Sequence, residues 1–433
     1  MPENFRYRKL SNGLEVITVV NHQLPQVVAQ IALKNGAMTE DNDFTGLSHL
    51  YEHMFFQANK KYPTRKELAE YENENGIFPG GQAREELVRY ITPSFPDKLE
   101  ESLVYLDAAM REPVFNMEDL LKERKTVEGE FLMYESDPSA ILWKKVNQKL
   151  WGDNYYQKNT GGERDIILTA TPDKLETIRK KYYYPNNAIL VITGEINHEE
   201  AMEKAERIFS KWKPSTFNIF QKYPVKEFMP MKQTEYFIEV NDLSKTPNIL
   251  YKWQTAGFEK DRKGVYAGNL LAEMLMQSSS PLSKTLLDSG FAADIYVGSS
   301  FNYFPGSMYL GVLPNADKMK ETDEAVRQIF TQIGQKGFFT EQQLANAKAS
   351  LVRGTKRLSE RPLSISMPIT NYWATAGLQD YFSMEQKITE IQLADIEDFV
   401  QKYLSSKPYA AGMIISTEHN KQYRPETFFV NFK

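Results

Sequence analysis

Apolar and polar positions divide the chain into two similar runs of elements. Between Asn116 and Asp137, Leu120, Leu121, Val127, Phe131 and Leu132 give an apolar side at helical spacing. Asn116 is placed to cap that helix, Asp119 follows three residues on, and Pro138 lies beyond its end. Shorter apolar runs predict strands near 14–20 and 25–33, ahead of a helix that carries residues 49–53. The stretch Lys213–Met231 holds Pro214, Pro224 and Pro230 with little periodicity and reads as a linker over 214–231. Beyond it the order repeats, with strands near 235–240 and 247–254 and a helix from about Gly264 to Gln277. Pro25-Gln26-Val27 leading to Gly36 resembles Pro247-Asn248-Ile249 leading to Gly257. The chain therefore reads as a duplication, residues 1–213 and 232–433. Strands and helices mixed without strict alternation predict α+β halves, each a mainly antiparallel sheet covered on one face by helices.

Composition narrows the function classes. A chain of 433 residues has room for two domains. A net charge of −5 gives no basic footprint for nucleic acid. No apolar run is long enough to predict a membrane span. Glu3, Arg6, Arg8 and Lys9 interrupt any signal-peptide pattern at Met1. A periplasmic setting is expected if a leader has been removed, and a cytoplasmic one otherwise. With no cysteine, disulfides, thiolate-ligated zinc and thiol catalysis are excluded.

The candidate chemistry lies in His49-Leu50-Tyr51-Glu52-His53, an H-x-x-E-H pentad. Histidines four apart on a helix share a face, so two neutral imidazoles can reach one Zn²⁺. Glu52 projects from the same face, where it is placed to take a proton from a metal-bound water. A third ligand is required, and no other histidine is near in sequence. On the helix from Asn116 to Asp137, Glu123 and Glu130 are two turns apart and share a face. Glu128 reads as a solvated carboxylate. Gly129 weakens the helix, which a close approach of another element or plain sequence accident would explain.

These residues resemble the pitrilysin/insulinase family of inverted-motif zinc peptidases, in its short bacterial and mitochondrial-processing form. Between His53 and Glu130 lie 76 residues, the family's spacing from pentad to liganding Glu. Glu123-Arg124-Lys125-Thr126-Val127-Glu128-Gly129-Glu130 is similar to the family's second helix. Gly46-Leu47-Ser48, Tyr183-Tyr184-Pro185-Asn186-Asn187 and the opening Tyr7 to Leu14 also match. The resemblance covers the first half strongly and the second in outline. It implies Zn²⁺ on His49, His53 and Glu130, with Glu52 as catalytic base and Glu123 holding a ligating imidazole. It also implies peptide substrates and a cavity between the halves.

In the second half, Asn269-Leu270-Leu271-Ala272-Glu273-Met274 falls opposite the pentad, so both imidazoles and the base are lost there. Two further departures bear on function. Where family peptidases often carry Asn-Ala-x-Thr on the strand facing substrate, this chain has Gly80-Gly81-Gln82-Ala83, a glycine pair that marks a weak strand or a bulge. Glu86 stands where the family has a downstream Glu. Leu286 and Ala293 occupy the positions of an Arg and a Tyr that hold substrate in the family. The expectation is a zinc metallopeptidase subunit in a heterodimer with a related chain that carries the Arg/Tyr pair, with a homodimer as the other assembly. The alternative is a non-catalytic or weakly active scaffold subunit.

Overall fold

The computed structural model describes residues 2–357 and 361–429. Its first sheet has six strands in the order β1-β2-β6-β3-β5-β4. These are β1 (Phe5–Lys9), β2 (Glu15–Val20), β3 (Val27–Leu33), β4 (Gly80–Ala83), β5 (Val88–Ser94) and β6 (Ala188–Gly194). The second sheet runs β7-β11-β8-β10-β9. Its strands are β7 (Glu235–Val240), β8 (Asn248–Thr255), β9 (Ala292–Ser299), β10 (Gly306–Pro314) and β11 (Tyr409–Ile415). The pairs β2–β6 and β7–β11 are parallel and the other pairs antiparallel. Apart from β1, the two sheets thus repeat one topology, with the parallel pair in the same place. The fold is α+β with a duplicated sheet.

The compact units do not follow the expected cut at 214–231 throughout. One comprises Met1–Phe131, Tyr156–Glu227 and Lys356–Phe382, and the other Leu132–Tyr155, Phe228–Thr355 and Ser383–Lys433. The reason is that one layer of helices is not enough. Every position of β3 and of β6 is buried, so both faces of the first sheet need cover. One face, with Val16, Ala29, Ile31, Leu190 and Ile192, packs in a cluster with the pentad helix. The other face, with Ile17, Val19, Ala32, Ile189 and Val191, takes Ile365, Ile369, Trp373 and Ala374 of the helix Pro362–Thr375. In the second unit the helix Pro138–Trp151 lays Leu142, Val146, Leu150 and Trp151 on Leu250, Ala410 and Ile414. The expectation of cover on one face is corrected accordingly. Each fully buried side chain of this size contributes about 1.5–3 kcal/mol.

Polar groups give the helix Pro362–Thr375 its register. Gln30, buried in the centre of the first sheet, donates to Thr370 Oγ1 at 2.6 Å and accepts from Ser366 Oγ at 2.7 Å. Buried Arg89 donates to Asn371 Oδ1 at 2.8 Å, Thr370 Oγ1 at 3.2 Å and the Met367 carbonyl at 3.3 Å.

The helix expected over 116–137 spans Met117–Glu135, and the Asn116 side chain caps it by accepting from the Asp119 amide at 2.8 Å. Its apolar residues form two stripes and not one. Leu120 and Val127 are buried and Phe131 packs beside them, whereas Leu121 and Leu132 are exposed. At 100° per residue, Leu121 and Leu132 lie about a quarter turn or more from the buried stripe. The second-half helix is Arg262–Leu275, capped by Asp261.

Candidate metal centre

The pentad sits on the helix Leu47–Phe55. Leu47, Leu50, Tyr51, Met54 and Phe55 recur at i, i+3, i+4, i+7 and i+8, and all are buried. That stripe seats the helix and turns His49, Glu52 and His53, each half-buried, to the other side. At the helix start Gly46 has φ 86°, and a Cβ there would lie 2.5 Å from the Gly162 Cα. Only glycine fits that approach and that dihedral. The first amides, which have no partner within the helix, are met from outside it. Buried Glu40 accepts from the Gly46 and Ser48 amides, both at 2.7 Å. Burial pushes the Glu40 carboxyl up to about 7, against the pull of these two amides.

Two imidazole nitrogens and the two oxygens of Glu130 lie close together. His49 Nε2 and His53 Nε2 are 3.3 Å apart. Glu130 places Oε2 3.6 Å from His49 Nε2 and Oε1 3.5 Å from His53 Nε2. A tetrahedral ion with bonds of about 2.0–2.1 Å requires ligand atoms roughly 3.3–3.4 Å apart. The imidazole pair fits that spacing, and Glu130, with a different oxygen near each nitrogen, is in reach as the third candidate ligand. Glu52 belongs to the same cluster, because His49, Glu52 and His53 each offer a ligand atom within 4.8 Å of the others.

Hydrogen bonds hold the ring of His53. His53 Nδ1 lies 3.1 Å from Glu123 Oε2, so this nitrogen carries the proton and donates it. In the neutral ring Nε2 then carries the lone pair, on the side of His49 and Glu130. Gln57 donates to the second oxygen of Glu123 at 2.9 Å, which locks the carboxylate in place. His49 Nδ1 is buried with no hydrogen-bond partner among the described residues.

The charges follow from this packing. Burial, and then the neighbouring His53, push His49 down to about 4, which keeps it neutral as a ligand must be. His53 moves up: burial lowers it, but the Glu123 bond and the charges of Glu52, Glu130 and Glu123 outweigh burial. Burial raises Glu52 to about 7, with His53 opposing and Glu130 and Glu123 reinforcing the rise.

Of the residues singled out in the sequence, His49, Glu52, His53, Glu123 and Glu130 are brought together. Gly80, Gly81 and Gln82 lie on β4 at the edge of the sheet. The bulge expected from the glycine pair is absent. Gly80, Gly81, Gln82 and Ala83 pair in regular register with Ile91, Tyr90, Arg89 and Val88. A Cβ at Gly81 would lie 2.2 Å from Glu52 Oε1, whereas one at Gly80 would meet nothing within 4 Å. A Cβ at Gly129 also meets nothing within 4 Å, so close approach does not account for that glycine. Glu86 is buried. In the second unit Leu286 is buried and Ala293 is exposed on β9. Glu40 and Gln57 were not legible as site residues. Gln57 follows His53 by one turn and so carried a weak signal, while Glu40 reaches its partners around a loop.

Residues 15–163 match the family model described as insulinase (peptidase family M16), and residues 169–351 match that of the peptidase M16 inactive domain. An uncharacterized zinc protease of Rickettsia felis is 23% identical over 412 residues, 94% of this chain and 96% of that protein. Another, from Rickettsia bellii, is 26% identical over 210 residues, and the match spans 48% of this chain and 51% of that protein. The crystal structure of a protease from Helicobacter pylori superposes with a TM-score of 0.82 at 18% identity, covering 95% of this chain and 99% of that one. With the pentad, the carboxylate helix and the duplicated sheet in place, these matches show that the chain belongs to the insulinase- and pitrilysin-like peptidase family M16.

Proposed function

We propose that this chain hydrolyses peptide bonds, with one Zn²⁺ held by His49, His53 and Glu130 and with Glu52 as the general base. The observation that carries the reading is the pair of imidazole nitrogens 3.3 Å apart, with one Glu130 oxygen 3.6 Å from His49, the other 3.5 Å from His53, and a half-buried carboxylate beside them. Zinc, when bound, supplies a Lewis acid that polarises the scissile carbonyl and acidifies water. Glu52 takes a proton from the attacking water and delivers it to the leaving nitrogen, so the C–N bond breaks as a neutral amine departs. Glu123 keeps the His53 proton on Nδ1, away from His49 and Glu130. The outer edge of β4, with Gly80, Gly81 and Gln82, offers main-chain groups to an extended peptide.

Metal analysis joined to cleavage of a mixed peptide library, with and without chelator, tests this reading. One zinc per chain and chelator-sensitive cleavage are expected. Glu52→Gln should keep the zinc and lower turnover by more than about 10²-fold, since the amide cannot take a proton. Retained turnover in that variant would assign the base elsewhere.

A specific observation favours a need for a partner. Leu286 is buried and Ala293 has only a methyl group, so neither supplies a guanidinium or a phenol. Full activity on this reading requires a related chain that carries the Arg/Tyr pair, in a heterodimer. The assay is peptide cleavage by the purified chain alone and then with a co-expressed relative. High turnover by the isolated chain, unchanged by any partner, rejects the heterodimer. Absence of zinc and of cleavage in both settings would favour a scaffold role.

A further inference from the structure

Lys174 and Lys181 are seven residues apart, two turns of the helix Pro172–Tyr182, and so share a face. Lys174 Nζ stands 5.5 Å from the ring centroid of Phe44, and Lys181 Nζ stands 5.0 Å from the same ring. Lys181 also lies 5.5 Å from the ring of Tyr223. Lys222 lies 5.4 Å from Tyr223 and 4.0 Å from Phe217. Three ammoniums and three rings thus alternate in one chain of contacts. The rings also hold one another. Tyr223 meets Phe217 edge-on at 5.9 Å and buried Tyr182 at 6.1 Å.

No carboxylate neutralises these lysines. Among the described residues none of the three has an ion pair, and Lys174 instead donates to the Asp43 carbonyl at 2.8 Å. Asp41 and buried Glu40 line the hollow beside Lys181 without pairing with it. The carboxylate of Glu176 is taken by Arg179 and Lys180. The chain holds 57 acidic side chains against 52 Lys and Arg, so three neighbouring lysines without a partner reverse its overall charge locally. Lysine stems lying on rings are ordinary, but that packing does not account for gathering like charges. With both lysines 5.0 to 5.5 Å from the ring they share, neighbouring ammoniums are no more than about 11 Å apart, close to the screening length at 0.1 M salt. The rings keep each ammonium in place without cancelling its charge.

We propose that Lys174, Lys181 and Lys222 form a docking strip for an extended, acidic segment of a partner protein. An extended chain rises about 3.3 Å per residue, so carboxylates two or three residues apart, about 7–10 Å, match the spacing of the ammoniums. A nucleic-acid strand needs free ring faces on which its bases stack, and here the protein's own lysines lie over them. A membrane surface needs apolar side chains that protrude, and Phe44, Phe217 and Tyr223 are all half-buried. The strip contains no residue of the metal centre, so it goes beyond the peptidase reading and does not depend on it.

The test is fluorescence anisotropy at low salt with a labelled, end-blocked hexaglutamate peptide and a hexaglutamine control. The full chain is used with Glu52→Gln, so that the probe is not cleaved. Binding of hexaglutamate alone is expected, weakening as salt rises. An exposed ion pair accounts for up to about fivefold in affinity, so Lys181→Gln with Lys222→Gln should raise Kd by about tenfold. Arginine at both positions should restore binding, which separates lost charge from lost folding. Lys180→Gln removes a lysine already paired with Glu176 and should leave Kd within about twofold. No binding of hexaglutamate, or an equal loss in Lys180→Gln, would overturn the proposal. So would tighter binding, through the same lysines, of single-stranded oligothymidine or of phosphatidylserine vesicles, since the strip would then serve a different class of partner.

Discussion

Glu40 makes the pH dependence of stability calculable at one residue. Its carboxyl is buried and rises from 4.5 to about 7. In the unfolded chain it loses its proton near 4.5, while in the fold it keeps it to about 7. The native state therefore binds more protons between those values, and stability falls as pH rises through that window. The contribution is fully present below the unfolded pKa and gone above the folded one. Between about pH 5 and about pH 8 the loss is on the order of 2.5 kcal/mol. Glu40→Gln cannot titrate. Its amide oxygen serves one of the two helix amides, and its NH₂ faces the other, a mismatch worth about 1–3 kcal/mol at any pH. Urea unfolding of the metal-free proteins should thus show the variant weaker at about pH 5 and the gap closing by roughly 2.5 kcal/mol at about pH 8. Titration of His49 and Glu52 is common to both proteins and cancels in the difference. A gap that stays constant across this range would refute the burial-driven shift at Glu40.

Three further outcomes follow from the packing. Glu123→Ala removes the acceptor of the His53 proton and should weaken zinc binding by about 10–100-fold, measured by competition with a chromogenic chelator. Gly129→Ala meets open space in a helix and should stabilise the protein by about 1 kcal/mol in urea unfolding; a destabilisation would place an unseen constraint there. Arg89→Ala strips four hydrogen bonds, one of them to the Met367 sulfur, from the helix Pro362–Thr375 and should cost about 3 kcal/mol or more, with faster hydrogen exchange in that helix; unchanged exchange would show that apolar packing alone docks it.

Local periodicity carried much of the fold. The strands near 14–20, 25–33, 235–240 and 247–254 are β2, β3, β7 and β8, and the two-turn spacing of Glu123 and Glu130 did put both carboxylates on the imidazoles. What it could not carry was reach. The mostly apolar runs of β3, interrupted by Gln30, and of β6 say that both sheet faces are covered, but not that the second cover comes from Pro362–Thr375. Leu121 and Leu132 looked like core because composition does not separate two stripes on one helix, and their 100° offset becomes visible only once a core exists on one side. Glu40 was missed because caps are sought within three residues of a helix start, and this one arrives from six residues before Gly46. Gly81 was read as a weakness of the strand, since the Glu52 side chain that lies beside it is on another element.

The second half shows what the first gives up for its chemistry. At the positions opposite His49 and Glu52, Asn269 turns its amide back to the Val265 carbonyl of its own helix at 2.8 Å, and Ala272 is a buried methyl. Gly268 beside them admits Phe399, whose Cζ would lie 2.7 Å from a Cβ there. Glu273, half-buried, stands opposite His53, so that face keeps a carboxylate in the second copy but loses both imidazoles and the base position. The first copy instead keeps His49 and Glu52 partly desolvated, with pKa values pushed to about 4 and about 7, in the directions that disfavour their charged forms. Nothing in the sheet topology requires this, because the second sheet repeats it without those groups. The desolvation of the pentad face is therefore a property of the site and not of the fold, as expected where local rules are broken for function.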